Sequence, residues 1–334
     1  MGTAELSCAS LESLAGDKTL SVVAVVTQPD KPKGRDLKLQ PSPVKSLALK
    51  LNLPVLQPER ARDEQFISEL RGLKPDLIVV VAYGQILPQT ILDLPKFGCL
   101  NVHTSLLPKY RGAAPIQWAI ANGESETGVT VMKMDAGLDT GPIISQRRMP
   151  ISSTNDSAAL HDLLALLGAE LLLDTIPDFV AGKIQPVPQP ADDVSHAPKI
   201  KKEDGRIDWN LPAKTILNRL RAFTPWPGAF THWQGARKAR PRDEEAETRG
   251  RAAHAPVGGE ILPGMHLLKI WKAETVELSG GTGEILLADK TGIVVACGRD
   301  ALRILELQLE GGRRMNVTEF LAGHALKAGD KFEK

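Results

Sequence analysis

The chain lacks the features that would mark it as secreted, disulfide-linked or membrane-spanning. Its three cysteines, Cys8, Cys99 and Cys297, are odd in number and far apart, which argues against a disulfide framework and against a zinc site. No apolar run approaches the ~18 residues of a membrane span. The first residues also lack the basic start and apolar core of a signal peptide. We therefore expect a protein of the reducing cytoplasm that makes no membrane contact.

Several common nucleotide-binding and hydrolase motifs are also missing. No Gly-x-Gly-x-x-Gly sequence follows a predicted strand, and the chain has neither a Walker A sequence nor a Gly-x-Ser-x-Gly nucleophile elbow. Six of the histidines have no ligand spacing with each other or with cysteine. These absences argue against a dinucleotide site and against metal catalysis, so we expect no bound metal.

What the chain contains is typical of a globular protein. Its 334 residues are comfortable for two domains, and its 42% hydrophobic and 24% charged residues are ordinary values. The formal net charge of +1 does not by itself indicate a nucleic-acid partner. Any contact with nucleic acid must therefore come from local basic patches.

The hydrophobic pattern predicts two domains of different class. In the first half, apolar strands at 21–26, 76–82 and 99–103 alternate with helices, and a long helix follows at 157–180. Strands that alternate with helices indicate a Rossmann-like, mostly parallel sheet, in which ligands bind at the carboxyl ends of the strands. The last third has one helix and then short strands with glycine-rich turns, a pattern that suits a small β-barrel.

The stretch 98–142 has the strongest indication of chemistry. Side chains two apart on a strand share a face, so Asn101 and His103 are expected to project together. An amide and an imidazole that point the same way can polarise a carbonyl and hold the oxyanion that forms when it is attacked. Asp139 lies between Gly137 and Gly141, which would let the backbone bend and bring a carboxylate to the same pocket.

Each of these residues also has a structural explanation. A histidine near a strand end is more often a hydrogen-bonded structural residue, and Gly-Leu-Asp-Thr-Gly alone could be a turn. The specificity comes from the order of the whole constellation along the chain.

Taken together, these motifs resemble the sequence signature of a known family. The sequence at 101–115, Asn-Val-His-Thr-Ser-Leu-Leu-Pro-Lys-Tyr-Arg-Gly-Ala-Ala-Pro, resembles the signature of the 10-formyltetrahydrofolate-dependent formyltransferases. The sequences at 128–130 and 137–141 resemble a second block of that family. Further matches at 28–32, 41–45 and 221–228 narrow the resemblance to members that act on an aminoacyl-tRNA, over nearly the whole chain.

The resemblance implies an activity and partners. The formyl group of 10-formyltetrahydrofolate, a co-substrate, would pass to the α-amino group of methionine on initiator methionyl-tRNA. Asn101 and His103 would stabilise the oxyanion, and Asp139 would orient His103 or relay a proton. The folate site would be lined by Tyr83, Gly84, Ser105, Leu106, Leu107 and Pro108. A basic, proline-rich loop would contact the tRNA acceptor stem, with Arg35 closest; its basic residues are Lys31, Lys33, Arg35 and Lys38.

The domain boundaries follow from composition and from the resemblance. We predict a catalytic domain at 1–183, a proline-rich linker at 184–204 and a tRNA-contacting barrel at 205–330, which the resemblance makes OB-like. We interpret 234–259, rich in charge, Ala, Gly and Pro, as an inserted solvated loop. We also expect a monomer. Members of the family begin with an apolar strand before Met-Gly-Thr, so we expect four to six apolar residues to be encoded upstream of Met1, and the extended protein to be more soluble and more active.

Two other functions remain open at this point. A sister formyltransferase that acts on a sugar-nucleotide amine or on glycinamide ribonucleotide would share the Asn, His and Asp residues. Such an enzyme acts on a small acceptor, so its activity would not explain the basic loop or the second domain. A folate- or tRNA-binding protein with an inert site is the non-enzymatic alternative.

Overall fold

A computed structural model describes residues 1–33, 38–234 and 265–333. The chain divides into two compact units, one formed by 1–120 with 124–199 and the other by 121–123 with 200–334. The segment 184–199, predicted as linker, thus lies within the first unit. It is held there by backbone hydrogen bonds, since Val187 exchanges two with Ile143, both at 2.8 Å.

The first unit alternates strands and helices over most of its length. Its strands are β1 (Val25–Val26), β2 (Lys31–Lys33), β3 (Lys38–Gln40), β4 (Val55–Leu56), β5 (Ile78–Val80), β6 (Cys99–His103), β7 (Arg111–Gly112), β8 (Glu126–Lys133), β9 (Ile143–Pro150) and β10 (His196–Ala197). Its helices are α1 (Leu6–Gly16), α2 (Pro43–Lys50), α3 (Glu64–Gly72), α4 (Gln89–Leu92), α5 (Pro115–Ala121) and α6 (Ser157–Val180).

The main sheet of this unit has the order β5-β6-β8-β9. Strands β5 and β6 are parallel, whereas β8 pairs antiparallel with both β6 and β9. Helix α6 packs on the sheet at Gly168, where an added Cβ would come within 2.9 Å of Val102 Cγ1. Val102 therefore faces the helix. Its neighbours Asn101 and His103 point to the opposite face of the sheet, because side chains alternate along a strand.

Strands β1 and β4 form a separate parallel pair. Within the described residues, a short segment connects this pair to the main sheet: Gly2 donates to Val26 O, and Val81 donates to Met1 O. The Met1 amino group donates to Val79 O at 2.7 Å. Beyond this segment lies a cavity of about 610 Å³, whose lining includes residues 22–26, 77–79 and 81. The predicted strand at 21–26 is correspondingly short, with only Val25 and Val26 in a ladder.

The second unit is mostly antiparallel β-structure. It contains a 3₁₀ helix (Lys202–Gly205), α7 (Ala213–Ala222), β11 (Ala229–Gln234), β12 (Met265–Val276), β13 (Ile285–Asp289), β14 (Gly292–Ala296), β15 (Ala301–Leu309), β16 (Arg314–Asn316), α8 (Val317–Gly323) and β17 (Phe332–Glu333). The sheet order is β13-β14-β15-β12-β11-β17, with β16 on β15. A Rossmann-like domain followed by a curled, OB-like β-domain confirms the predicted fold class. The predicted insertion at 234–259 lies, from residue 235 onward, outside the described residues.

In the described part of the chain, no helix is both long and apolar enough to cross a membrane.

Candidate active site

Strand β6 places two polar side chains at the carboxyl end of the main sheet. His103 is 6% exposed, and Asn101 is partly buried beside it on the same face. Both side chains lie near the carboxylate of Asp139: Asn101 Nδ2 is 3.5 Å from Oδ1, and His103 Nδ1 is 3.7 Å from Oδ2. The structure therefore brings together the three residues that the sequence singled out.

Asp139 is held in a turn between β8 and β9. Its φ of +54° lies in the left-handed region, which is costly for a residue with a Cβ. Gly141 permits the close approach of this turn to the sheet, because an added Cβ would lie within 2 Å of Lys133 O. The backbone N–H of Gly112 donates to Asp139 Oδ2 at 2.8 Å, and this bond fixes the carboxylate.

The hydrogen bond at the other ring nitrogen defines the proton positions on His103. Nε2 lies 2.9 Å from the backbone carbonyl of Tyr110. A carbonyl oxygen only accepts hydrogen bonds, so Nε2 carries a hydrogen. Nδ1 is then the nitrogen that faces the carboxylate, 3.7 Å from Oδ2.

The loop after β6 is fixed by one buried hydroxyl. Thr130, on β8 opposite His103, donates from Oγ1 to Ser105 O at 2.7 Å. The same oxygen accepts from the Leu107 N–H at 3.1 Å and from Gln146 Nε2 at 2.9 Å. Gln146 also donates to Leu107 O at 2.8 Å. This network determines the path of residues 105–108.

The six residues that the resemblance assigns to the folate site differ in what they leave accessible. Ser105, Leu107 and Pro108 are buried, and Leu106 is partly exposed. The Tyr83 ring lies in the core, and burial raises its pKa to about 12. Its backbone carbonyl accepts from Thr3 Oγ1 and Gln28 Nε2, both at 2.9 Å. Gly84, at φ +81°, follows at the edge of the sheet.

The predicted tRNA loop is only partly described. Strands β2 and β3 form an antiparallel hairpin that carries Lys31, Lys33 and Lys38. Lys31 is exposed, and its Nζ donates to Gln28 Oε1 at 2.6 Å. Arg35 lies outside the described residues.

The sequence reasoning missed several residues of this site. Gly112, Thr130 and Gln146 fix the carboxylate and the loop, as described above. Gln189 lies in the proline-rich segment, and its Nε2 donates to both Asp139 O and Gly141 O at 2.8 Å. Asp139 and Gln189 are far apart in sequence, and we find no local pattern that would have indicated the contact.

Cysteine chemistry has no place in this arrangement. Cys99 begins β6, but its side chain is buried, and burial raises its pKa to about 12. A thiol with so high a pKa holds little of the nucleophilic thiolate at neutral pH.

Comparison with known protein families shows to which family the chain belongs. The family model described as Formyl transferase matches residues 2–176, and the model described as Formyl transferase, C-terminal domain, matches residues 199–325. The chain belongs to the formyl transferase family.

Comparison with individual relatives shows which members of this family the chain resembles. The chain is 47% identical to the methionyl-tRNA formyltransferase of Citrifermentans bemidjiense over 331 residues, covering 98% of this chain and 94% of the relative. It is 47% identical to that of Myxococcus xanthus over 333 residues, covering 99% and 96%. Within its family the chain therefore belongs with the methionyl-tRNA formyltransferases, which are one-carbon group transferases.

A solved structure shares the fold at much lower identity. The N-formyltransferase from Helicobacter canadensis, solved in complex with folinic acid and dTDP-3-aminofucose, superposes with a TM-score of 0.59 at 19% identity. The match covers 91% of this chain and 97% of that one. At this identity the likeness is evidence for the fold alone.

Proposed function

We propose that the chain transfers the formyl group of 10-formyltetrahydrofolate to the α-amino group of methionyl initiator tRNA, with Asn101, His103 and Asp139 as its catalytic residues. The observation that carries the proposal is their convergence: an amide nitrogen and an imidazole nitrogen lie within 4 Å of one carboxylate. The proposal covers the substrates and the residue roles, which go beyond family membership.

The reaction needs two kinds of help from the protein. The neutral amine attacks the formyl carbon, and a new C–N bond forms as the carbonyl oxygen becomes an oxyanion. The bond from that carbon to the folate nitrogen then breaks, and one proton moves from the attacking nitrogen to the leaving one. A catalytic site must therefore donate hydrogen bonds to the oxyanion and carry a proton between two nitrogens.

The side chains are suited to these tasks in different ways. Asn101 Nδ2 is a neutral donor, and its effect does not depend on pH near neutrality. His103 can act only through Nδ1, because Nε2 is engaged with Tyr110 O. Asp139, held by Gly112, stabilises a proton on Nδ1 and can receive the amine proton directly or through a water.

The folate co-substrate is assigned to the loop that follows β6. Thr130 and Gln146 hold the backbone at 105–107, so hydrogen bonds within the protein fix this wall. Leu106, the partly exposed member, offers an apolar surface beside the catalytic residues. The backbone of Tyr83 and Gly84 forms the neighbouring edge, since β5 and β6 are parallel and adjacent.

The tRNA is assigned to the basic hairpin and to the second unit. The hairpin carries Lys31, Lys33 and Lys38. The predicted contact at Arg35 falls outside the described residues and stays a prediction. Phosphate contacts of this kind supply affinity that weakens as salt concentration rises.

The decisive assay measures transfer of labelled formyl from 10-formyltetrahydrofolate to Met-tRNA, with free methionine and a sugar-nucleotide amine as competing acceptors. We expect label in Met-tRNA and little in either competitor. Preferential labelling of the sugar amine would instead identify a sister formyltransferase. Binding of the folate without turnover on any acceptor would identify a non-catalytic protein.

A further inference from the structure

Gln189 makes four hydrogen bonds that join three separate parts of the first unit. Its Nε2 donates to the carbonyls of Asp139 and Gly141, both at 2.8 Å. Its Oε1 accepts from Arg111 Nε at 3.0 Å and from Arg111 Nη2 at 2.7 Å. A glutamine side chain has two donor hydrogens and two strong acceptor positions, so all of its capacity is used.

The orientation of this amide is unambiguous. If the side-chain oxygen and nitrogen were exchanged, the nitrogen would face two guanidinium donors and the oxygen would face two carbonyls. All four contacts would then be repulsive. Position 189 therefore requires the amide of glutamine. Glutamate has no donor for the two carbonyls, and leucine has neither donor nor acceptor.

Two of the hydrogen bonds of Gln189 are accepted by the backbone of the turn that contains Asp139. They engage the carbonyls on either side of Thr140, and the first belongs to Asp139 itself, at its left-handed φ of +54°. Such a conformation persists when the surroundings over-determine it. The Asp139 carboxylate is held separately by the N–H of Gly112, the residue that follows Arg111.

The contacts thus close a ring. Arg111 binds Gln189, Gln189 binds the backbone at Asp139, and the Asp139 side chain binds Gly112. The segment that carries Gln189 is itself fixed on both sides, by the Val187–Ile143 hydrogen bonds and by the pairing of β10 with β7.

We propose that Gln189 is a positioning residue for formyl transfer, which sets the direction of the Asp139 carboxylate toward His103. The inference rests on the proposed function, since it requires Asp139 to act in the reaction. A displacement of about 1 Å at such a group can lower a rate by about 10²-fold.

The test compares Gln189→Ala and Gln189→Glu with Asp139→Asn and with the double variant Gln189→Ala/Asp139→Asn, all as full-length protein. We expect each Gln189 variant to lower kcat by about 10- to 100-fold, with both KM values within about threefold of the parent. Gln189→Glu keeps a partner for Arg111 and should still be slow, because it cannot donate to the carbonyls. Gln185→Ala is the matched control in the same segment; Gln185 is exposed, donates to Gly182 O, and should leave kcat unchanged.

The double variant separates positioning from general structural damage. If Gln189 acts through Asp139, its loss should change kcat by less than about twofold once Asp139 is already replaced. Multiplicative effects in the double variant, or a normal kcat in Gln189→Ala and Gln189→Glu, would overturn the inference. An Asp139→Asn variant with normal kcat would instead overturn the proposed role of Asp139, so the two failures can be told apart.

Discussion

The two units bury their apolar side chains in different ways. In the second unit, one cluster of buried residues extends from Ile207 to Phe332 and includes the fully buried Trp233 and Phe320. Among the described residues of the first unit, separate clusters form around Ile78 and around Val44. The 610 Å³ cavity is lined by members of both.

The two units therefore differ in the contacts that hold their chain segments in place. The second unit has a continuous core in which side chains contact one another on all sides. In the first unit, hydrogen bonds also hold backbone segments in place beside the two clusters, from Met1–Gly2 at the sheet to the network around Thr130 and Gln189. The proposed catalytic residues lie in the first unit, which also contains the cavity.

The largest effect expected from a single change concerns activity in the first unit. Asn101→Ala, His103→Ala and Asp139→Asn should each lower turnover of Met-tRNA by about 10²–10³-fold or more. The effects should be non-additive, because the groups act as a unit. The thermal midpoint should change little, since polar pocket residues add little to the core. Asp174→Asn, at an exposed position of α6, is a control with normal turnover. Near-normal turnover in any of the three would remove that residue from the mechanism.

Paired core truncations test the comparison directly. Leu268→Ala, in the continuous cluster, should cost about 3–5 kcal/mol of unfolding free energy. Leu11→Ala should cost about 1–2 kcal/mol, because Leu11 already lines the cavity and loses fewer contacts. Hydrogen exchange resolved by segment is the suitable measurement, since two units need not unfold together. Equal losses at the two positions would show that the cavity does not weaken the first unit.

The Met1 amino group predicts a pH dependence of the first unit. In a protein that begins at Met1, burial lowers the pKa of this group from 8.0 to about 6. The unfolded state then binds more protons than the folded state between these values, so stability is full above pH 8 and falls as the pH drops toward 6. Two pKa units correspond to about 2–3 kcal/mol. Once the pH dependence of intrinsic amide exchange is corrected for, the protection factors of residues 78–80 should fall over this range more than those of β14.

Extending the chain provides the control. Four apolar, β-branched residues placed before Met1 replace the amine by a peptide and should abolish this component of the pH dependence. They should also slow exchange in the first unit, because they can pair with 22–26 and 77–81 across the cavity. A Gly-Ser extension of equal length should remove the pH component without that gain. If both extensions act alike, the cavity does not accept a strand.

The smallest effect expected concerns the basic hairpin. Arg35→Ala and Lys31→Ala should each raise KM for Met-tRNA by up to about tenfold and reduce the slope of log KM against log salt by about one. The KM for 10-formyltetrahydrofolate should not change. Disturbed folate kinetics with unchanged tRNA kinetics would assign the hairpin a different role.

Sequence reasoning predicted the parts of this molecule whose information is local. The strand Cys99–His103 and the helix Ser157–Val180 have the predicted bounds, because the hydrophobic pattern that predicts each of them lies within the segment itself. The convergence of Asn101, His103 and Asp139 followed from strand geometry and from the order of the motifs.

The missed residues depend on contacts between distant segments. Thr130 is one of several polar residues on strands, and only the register of β8 against β6 places it under the loop. Gln189 alternates with prolines, a pattern that predicts an extended linker. Its role requires Val187 to pair with Ile143, which no local feature of either residue indicates.

The ring of contacts through Arg111, Gln189 and Asp139 has a consequence for the order of folding. Its members are separated by 78 and 50 residues, so closing it carries a larger loop entropy than closing any helix or hairpin of the unit. Contacts of such high sequence separation form late. During synthesis, the strand that carries Asn101 and His103 emerges from the ribosome well before Gln189. We therefore expect the nascent first unit to complete much of its secondary structure while the turn at Asp139 still lacks its hydrogen bonds from Gln189. We expect full activity only after the proline-rich segment has paired with Ile143.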